Sequence, residues 1–335
     1  MTQAASSQNP NLPVSMTQEW DKIFPQDAQV GHRKVSFTNR YGITLVGDLY
    51  TPKNAEGRLP AIAVSGPFGA VKEQSSGLHA QEMAARGFVA LAFDGSFTGE
   101  SGGMPRNVAS PDINTEDFSA AVDFLSTQDN VDADRVGILG ICGWGGMALN
   151  AAAMDTRIKA TITSTMYDMS RVMANGYNDS VTVDARYEMR EALNRQRTED
   201  VRTGKPAPNL QARLPEKLSG QEPQFVQDYF DFYKTKRGFH PRSINSNGAW
   251  NVTSALSFIN MPLLQYAGEI RNPVLVVHGE KAHSRYFSED AFRKLKGDNK
   301  TLLIVPGASH TDLYDKAAGK IPFDRFEGFF KANLK

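Results

Sequence analysis

Short apolar runs alternate with amphipathic stretches over most of the chain. Pro60–Ser65 and Phe88–Phe93 are brief apolar runs of the kind that form strands buried on both faces. Ser75–Arg86 lies between them and has a helical pattern, which Gly87 ends. Another strand-like run follows at Val136–Ile141. The alternation predicts βαβ units, and therefore an α/β fold with a mainly parallel sheet flanked by helices.

Turn and cap residues predict the bounds of individual elements. Lys34–Asn39 and Ile43–Tyr50 are strand-like runs joined by a turn, which predicts a hairpin. Asn114 has the side chain of a helix cap and acidic residues follow it, so a helix is predicted from there to about Ser126.

The strand–helix alternation stops at about Thr165 and returns at Pro273. Within this interval Val183–Arg197 has a charged helical pattern, and Phe225–Lys234 has a helical pattern crowded with aromatic residues. The change predicts a helical cap inserted after the sixth strand, although surface helices with an aromatic stripe packed on the core would give the same pattern. The predicted units are an arm of residues 1–30, an α/β core of residues 31–165 and 269–335, and a cap of residues 166–268.

The only cysteine of the sequence, Cys142, lies where the run Val136–Ile141 meets a helical run from about Met147. Gly140 and Gly143 would let the strand and the helix approach closely. A sharp turn between them exposes the side chain at its apex beside the first N–H groups of the helix. Such groups lower the pKa of a thiol and hold an oxyanion. The pattern predicts a nucleophilic Cys142; a buried structural cysteine is the alternative.

The stretch Gly140-Ile-Cys-Gly-Trp-Gly-Gly146 resembles the nucleophile elbow of α/β hydrolases, G-x-S-x-G, in the Gly-x-Cys form of dienelactone hydrolases. Gly66–Gln74 and Gly279–Phe287 are similar to X-prolyl-peptidase-like esterases and to fungal polyketide transferases. The resemblance covers about residues 33–165 and 270–335. It implies the α/β-hydrolase fold and an acyl-transfer chemistry at the cysteine.

The resemblance also implies roles for further residues. The loop that contains Phe68 matches one that donates an oxyanion-hole N–H in α/β hydrolases. Because Pro67 has no N–H, Phe68 is the predicted donor, together with Gly143. Trp144 stands where the motif has its second glycine, and a bulky ring there either crowds the crossing of helix and strand or lines the substrate pocket; we predict the pocket. His310 lies in a loop that resembles the one carrying the hydrolase histidine.

The sequence differs from the hydrolase pattern at the position of the acid that orients this histidine. Hydrolases typically continue the preceding strand as H-G-x-x-D, but Ala282 occupies the aspartate position. Glu280, two residues earlier, is the predicted acid, and Asp168 after the sixth strand is the alternative. His283 is close enough to this position to support the site indirectly.

The amino-acid composition limits which kinds of molecule the protein is expected to bind. Basic and acidic residues balance at 37 each, which argues against nucleic acid. A single cysteine excludes an intrachain disulfide and a thiolate metal cluster, and no group of His, Asp or Glu has ligand spacing. Without a long apolar run or a signal-peptide pattern, we expect a cytoplasmic protein that has no membrane contact. We expect no metal or cofactor and a small-molecule substrate; a homo-oligomer is compatible with the sequence.

These residues predict a hydrolase that acts on a small ester, lactone or thioester through a triad of Cys142, His310 and Glu280, with an acyl-cysteine intermediate. An acyl (polyketide) transferase that uses the same intermediate is one alternative. A non-catalytic small-molecule binding protein on a hydrolase scaffold is the other.

Overall fold

Eight strands form one twisted sheet. They are β1 (Val30–Thr38), β2 (Thr44–Pro52), β3 (Leu59–Ser65), β4 (Val89–Phe93), β5 (Val131–Ile141), β6 (Ile158–Ser164), β7 (Val274–Gly279) and β8 (Lys300–Val305). Their order is β1-β2-β4-β3-β5-β6-β7-β8. β2 is antiparallel to both of its neighbours, and every other adjacent pair is parallel. The predicted mainly parallel sheet is therefore confirmed.

The computed structural model of the chain describes residues 9–13 and 15–335. Residues 1–8 and Val14 of the predicted arm lie outside the described residues. Ten helices of the described chain are α1 (Ser75–Ala85), α2 (Pro111–Ser126), α3 (Gly143–Met154), α4 (Met169–Asn175), α5 (Val183–Thr203), α6 (Gln224–Lys234), α7 (Ile244–Asn247), α8 (Ala255–Asn260), α9 (Arg285–Lys294) and α10 (Phe323–Asn333).

Helices cover both faces of the sheet, as a parallel sheet requires. On one face, Ile138 of β5 belongs to the same buried cluster as Phe118 of α2 and Met147 of α3. On the other face, the next residue of the strand, Leu139, belongs to the cluster that includes Phe330 of α10. Successive strand side chains point to opposite faces, so this apolar run fills two cores.

The start of α2 differs from the prediction by one turn. Ser110 is the cap, because its hydroxyl accepts a hydrogen bond from the N–H of Ile113 at 3.2 Å, and Pro111 occupies the first helical position. Asn114 lies inside the helix, where its side-chain oxygen accepts from the N–H of Ser110 at 2.9 Å. The predicted start at Asn114 is wrong, because two residues near this turn carry capping side chains and only the fold selects between them.

Helices α4 to α8 all lie between β6 and β7 in the chain. The predicted insertion coincides with this interval, and its division from the core as a separate cap stays a prediction. The part of the chain that the structure describes contains no helix with the length and apolarity needed to cross a bilayer.

Candidate active site

Cys142 is held at a sharp turn between β5 and α3. Its backbone has φ 56° and ψ −128°, a conformation that costs energy for any residue other than glycine. A Cβ added at Gly140 would lie 2.3 Å from the carbonyl oxygen of Trp144, and one at Gly145 would lie 2.4 Å from the Cβ of Met166. The glycines of the motif are therefore required where the turn packs against α3 and the chain after β6.

The Cys142 side chain is 7% exposed and lies beside backbone donors. The N–H groups of Phe68 and Gly143 face its sulfur and lower the pKa of the thiol, as does the hydroxyl of Tyr314, but burial outweighs them and raises the pKa. Asn245 of α7 holds the Phe68 loop, because its Nδ2 donates to the carbonyl oxygen of Phe68 at 2.8 Å. The two predicted oxyanion-hole donors thus lie next to the predicted nucleophile.

Tyr314 lies between Cys142 and His310. Its hydroxyl is 2.9 Å from Nε2 of His310 and also faces the Cys142 sulfur, where it lowers the pKa of the thiol. The Tyr314 side chain is 0% exposed and that of His310 is 2% exposed, so water does not separate these groups. No motif in the sequence identifies Tyr314 as a site residue. Its spacing of four residues from His310 could have indicated that the two side chains share one face of a helical turn.

The other ring nitrogen of His310 contacts hydroxyl groups. Nδ1 is 2.5 Å from the Oγ of Ser284 and 2.9 Å from the Oγ1 of Thr165. The Ser284 hydroxyl is in turn 2.9 Å from Nε2 of His278, and Nδ1 of His278 is 2.6 Å from the hydroxyl of Ser288. Ser284 and His278 thus connect the ring of His310 to the start of α9.

Glu280 does not complete the predicted triad. Its side chain is exposed, and Oε2 accepts a hydrogen bond from the N–H of Gly307 at 2.8 Å. Asp168, the alternative, caps α4 and accepts from the N–H of Arg171 at 3.0 Å. Among the described residues no carboxylate forms a hydrogen bond with His310. The predicted pairing of Glu280 with His310 is therefore wrong. Ser284 lies beside the ring nitrogen that an acid was expected to contact.

Burial sets the protonation of the histidines. It lowers the pKa of His310 well below its ordinary value, and the neighbouring His283 and His278 lower it further. Burial also lowers the pKa of His278 to about 3 and that of His283 to about 4. These shifts favour a thiol at Cys142 and a neutral imidazole at His310 at neutral pH, in contrast to the lowered thiol pKa expected from the sequence.

A cavity of about 200 Å³ opens beside Cys142. Phe68, Met169, Asn245 and Tyr314 contribute to its wall. The remaining lining residues come from the neighbourhood of β6 and from the predicted cap: Tyr167, Ala212, Leu214, Tyr229 and Tyr233. No charged side chain is among them, so this cavity fits an uncharged, apolar group.

His283 lies at the edge of this aromatic wall. Its Nε2 is 2.5 Å from the hydroxyl of Tyr167, and its ring stacks on Phe225 with centroids 4.3 Å apart. The ring of His283 also lies 5.4 Å from that of His310. His283 therefore supports the walls around the site, which agrees with the indirect role expected from the sequence.

Trp144 lies in the core. Its indole is 6% exposed and makes edge-to-face contacts with Phe93 and Phe118, both with centroids 5.6 Å apart. The ring fits there because Gly95 has no side chain; a Cβ at Gly95 would lie 2.4 Å from the indole. Trp144 does not line the Cys142 cavity, and its predicted place in the substrate pocket is corrected.

Three buried carboxylates, those of Glu73, Asp94 and Glu100, lie close enough together to suggest a metal site. The ammonium group of Lys72 occupies the space among them, at 2.6, 2.8 and 2.7 Å respectively. This charge pairing raises the pKa of Lys72 well above its ordinary value. The group is a buried ion cluster beneath the Phe68 loop rather than a vacant ligand set.

The fold and the strand–helix elbow define an α/β hydrolase. The crystal structure of the α/β hydrolase GrgF from Penicillium superposes with a TM-score of 0.73 at 21% identity, covering 91% of this chain and 99% of that one. More specifically, the chain belongs to the X-Pro dipeptidyl-peptidase (S15) family, whose profile matches residues 41–312.

One relative is similar over nearly the whole length. Uncharacterized protein PA2218 of Pseudomonas aeruginosa is 61% identical over 335 residues, which cover 99% of this chain and 89% of that protein. The crystal structure of that protein superposes with a TM-score of 0.92 over 96% of this chain and 100% of the other.

Fungal relatives match a smaller part. Thiohydrolase aneE of Aspergillus aculeatus is 34% identical over 132 residues, 39% of this chain and 41% of that protein. Polyketide transferase claH of Penicillium crustosum is 33% identical over 133 residues, 39% of this chain and 43% of that protein. Together these comparisons establish a hydrolase scaffold.

Proposed function

We propose that this protein hydrolyses thioesters and activated esters of apolar acyl groups through an acyl intermediate on Cys142. The observation that carries the proposal is the contact of the Cys142 sulfur with the N–H groups of Phe68 and Gly143 and with the hydroxyl of Tyr314. A sulfur nucleophile, two oxyanion donors and a connected base are the parts that acyl transfer requires. The fungal relative named a thiohydrolase supports the thioester class.

In the proposed mechanism, the Cys142 sulfur attacks the carbonyl carbon while its proton passes to the oxygen of Tyr314. Tyr314 gives its own proton to Nε2 of His310 in the same step, so the site never holds an isolated buried thiolate. The carbonyl electron pair moves to the oxygen, which the N–H groups of Phe68 and Gly143 stabilise by about 3 kcal/mol each.

Collapse of the tetrahedral intermediate breaks the bond to the leaving thiol or alcohol, which takes the proton back from His310 through Tyr314. A water molecule then loses its proton along the same path and attacks the carbonyl carbon of the acyl thioester. The new tetrahedral intermediate breaks its bond to the Cys142 sulfur, which takes that proton back through Tyr314 as the acid is released. Amides are poor substrates in this scheme, because the cysteine leaves more readily than an amine. The neutral site favours acyl groups that are already activated.

Turnover of a panel of p-nitrophenyl esters, S-acyl cysteamine thioesters and a matched amide tests this proposal. We expect turnover of thioesters and esters but not of the amide, and a loss of activity of about a thousandfold or more in Cys142→Ala. Glu280→Gln is the matched control and should retain nearly full activity. Binding without turnover of any ester or thioester would support a non-catalytic binding protein instead.

Acyl transfer is a second candidate. The catalytic groups are nearly inaccessible to solvent, and a shielded acyl thioester survives long enough to meet an acceptor other than water. The relative named a polyketide transferase is consistent with this route. Adding small alcohols or amines during turnover would separate the two: a transferase forms the new ester or amide in preference to the acid.

A further inference from the structure

A second cavity, of about 280 Å³, lies next to the one at Cys142. The two cavities share five lining residues: Phe68, Met169, Ala212, Leu214 and Asn245. The volume of each cavity alone is below roughly 300 Å³, the lower limit for typical ligand-binding cavities. Their combined volume falls within the usual range. The shared side chains of Met169 and Leu214 are flexible aliphatic groups, so a ligand in one cavity extends into the other by moving a side chain rather than the backbone.

Most residues in the wall of the second cavity are apolar. Its lining includes Met173, Ile244, Ala249, Trp250, Val252 and Ala255. The indole of Trp250 stacks on the ring of Phe68 with centroids 4.3 Å apart. The residue that donates one oxyanion N–H therefore also forms a wall of this second space, which places the second cavity directly next to a carbonyl bound at Cys142.

The polar side chains at this cavity already have partners in the protein. Asn251 donates to the carbonyl oxygen of Arg106 at 2.8 Å, and Asn245 donates to that of Phe68 at 2.8 Å. The one charged side chain among the described lining residues, Arg213, pairs with Glu216 at 2.6 Å. Polar or charged groups on a ligand would therefore add little to its binding free energy. The cavity favours ligands that bury apolar surface.

We propose that this second cavity, which we name the tail chamber, binds the far end of an uncharged, medium-length to long acyl chain whose carbonyl is at Cys142. The leaving group of a carrier thioester is polar and anionic, so it does not fit this chamber, whereas an alkyl or aryl acyl tail does. The proposal rests on the function proposed above, because it assumes that the acyl carbonyl is bound between Phe68 and Gly143.

Gly248 offers a direct way to fill the chamber. It lines the cavity, has an extended backbone with φ −146°, and a Cβ there would lie no closer than 3.4 Å to the nearest atom, the Cα of Ile244. Gly248→Leu therefore introduces a side chain into the chamber without backbone strain. Gly248→Ala is the matched control because it adds only the Cβ.

The test compares kcat/KM for p-nitrophenyl acetate, butanoate and octanoate. In the wild type we expect octanoate to exceed acetate by about tenfold or more, because each buried methylene contributes to binding. Gly248→Leu should lower the octanoate value by about tenfold and change the acetate value little, and Gly248→Ala should resemble the wild type. Ala255→Phe, at another position of the lining, should reproduce the selective loss of octanoate turnover.

Two results would overturn the proposal: a wild type without preference for octanoate over acetate, or a Gly248→Leu variant that loses both activities in equal proportion although it folds. Calorimetric titration with 2-decanone, an uncharged ketone that is not cleaved, measures the chamber independently of catalysis. We expect weaker binding to Gly248→Leu than to Gly248→Ala, and equal binding would also overturn the tail chamber. Absence of acetate turnover with intact 2-decanone binding would instead overturn the proposed hydrolysis.

Discussion

Nδ1 of His310 lies 2.5 Å from the hydroxyl oxygen of Ser284, where an orienting carboxylate was expected. One assignment of protons satisfies the whole group of hydrogen bonds. The N–H at Nδ1 of His310 donates to Ser284, the Ser284 hydroxyl donates to Nε2 of His278, and the N–H at Nδ1 of His278 donates to Ser288. This assignment leaves Nε2 of His310 without a proton and ready to accept one from Tyr314.

Removal of the Ser284 hydroxyl should weaken catalysis more than removal of the Glu280 carboxylate. Ser284→Ala takes away the closer partner of Nδ1 and leaves only Thr165, so the ring loses its preferred tautomer in part of the molecules. We expect kcat to fall on the order of tenfold, with little change in KM. Glu280→Gln, measured alongside, should stay close to the wild type. A larger loss in Glu280→Gln than in Ser284→Ala would refute this assignment.

Tyr314→Phe tests the proton path between Cys142 and His310. The substitution keeps the ring and removes a hydroxyl that lies beside both groups, so we expect kcat/KM to fall by about a hundredfold. Tyr266→Phe is the control, because Tyr266 is exposed and does not line the Cys142 cavity. Equal kinetics in the two variants would show that His310 acts on Cys142 without Tyr314.

The pH dependence of Cys142 alkylation follows from the two pKa shifts. The pKa of Cys142 is raised from 9.0, so the thiolate fraction and the rate of labelling by iodoacetamide should still be rising above pH 9.0. The pKa of His310 is lowered well below 6.5, so the labelling rate should show no separate inflection near pH 6.5. A plateau of rapid labelling that begins near neutral pH would indicate a thiolate–imidazolium pair instead.

Lys72 should be important for stability rather than for chemistry. Lys72→Met would leave the buried carboxylate of Asp94 without a cation, while Arg242 and Lys34 would still pair with Glu73 and Glu100, and we expect a loss of about 3 kcal/mol in the free energy of unfolding. Urea titration measures this loss. The exposed i,i+3 pair of Arg202 and Glu199 provides a control, because Arg202→Met should cost less than about 1 kcal/mol. A Lys72→Met variant as stable as the wild type would contradict this interpretation.

The sequence predicted the parts of the fold that local patterns determine. The apolar runs located the strands, and the glycines beside Cys142 located the elbow, because close packing at a sharp turn excludes side chains there. The partners of His310 could not be predicted in the same way. Ser284 and Thr165 lie in different segments, and an Oγ has no signature that distinguishes it from any other surface hydroxyl. Glu280 was selected by its distance along the chain, but its turn directs the carboxylate to Gly307.

The position of the Trp144 side chain likewise could not be predicted from local sequence patterns. A bulky residue at a motif position normally held by glycine suggested a pocket residue, because the sequence does not reveal which side of the elbow is open. Gly95, far away in sequence, provides the space that takes the indole into the core. Tyr314, by contrast, could have been proposed from its spacing to His310, since the geometry of one helical turn was sufficient.

Intact-mass and peptide mass spectrometry of the acylated enzyme reveal whether Cys142 carries the acyl group. After rapid mixing with p-nitrophenyl octanoate and acid quench, we expect one octanoyl group per chain, located on the peptide that contains Cys142. The adduct should accumulate further in Tyr314→Phe if release of the acyl group is slowed more than its formation, and it should be absent in Cys142→Ala. Turnover of the ester without an adduct on Cys142, or an unchanged turnover rate in Cys142→Ala, would show that Cys142 is not the nucleophile.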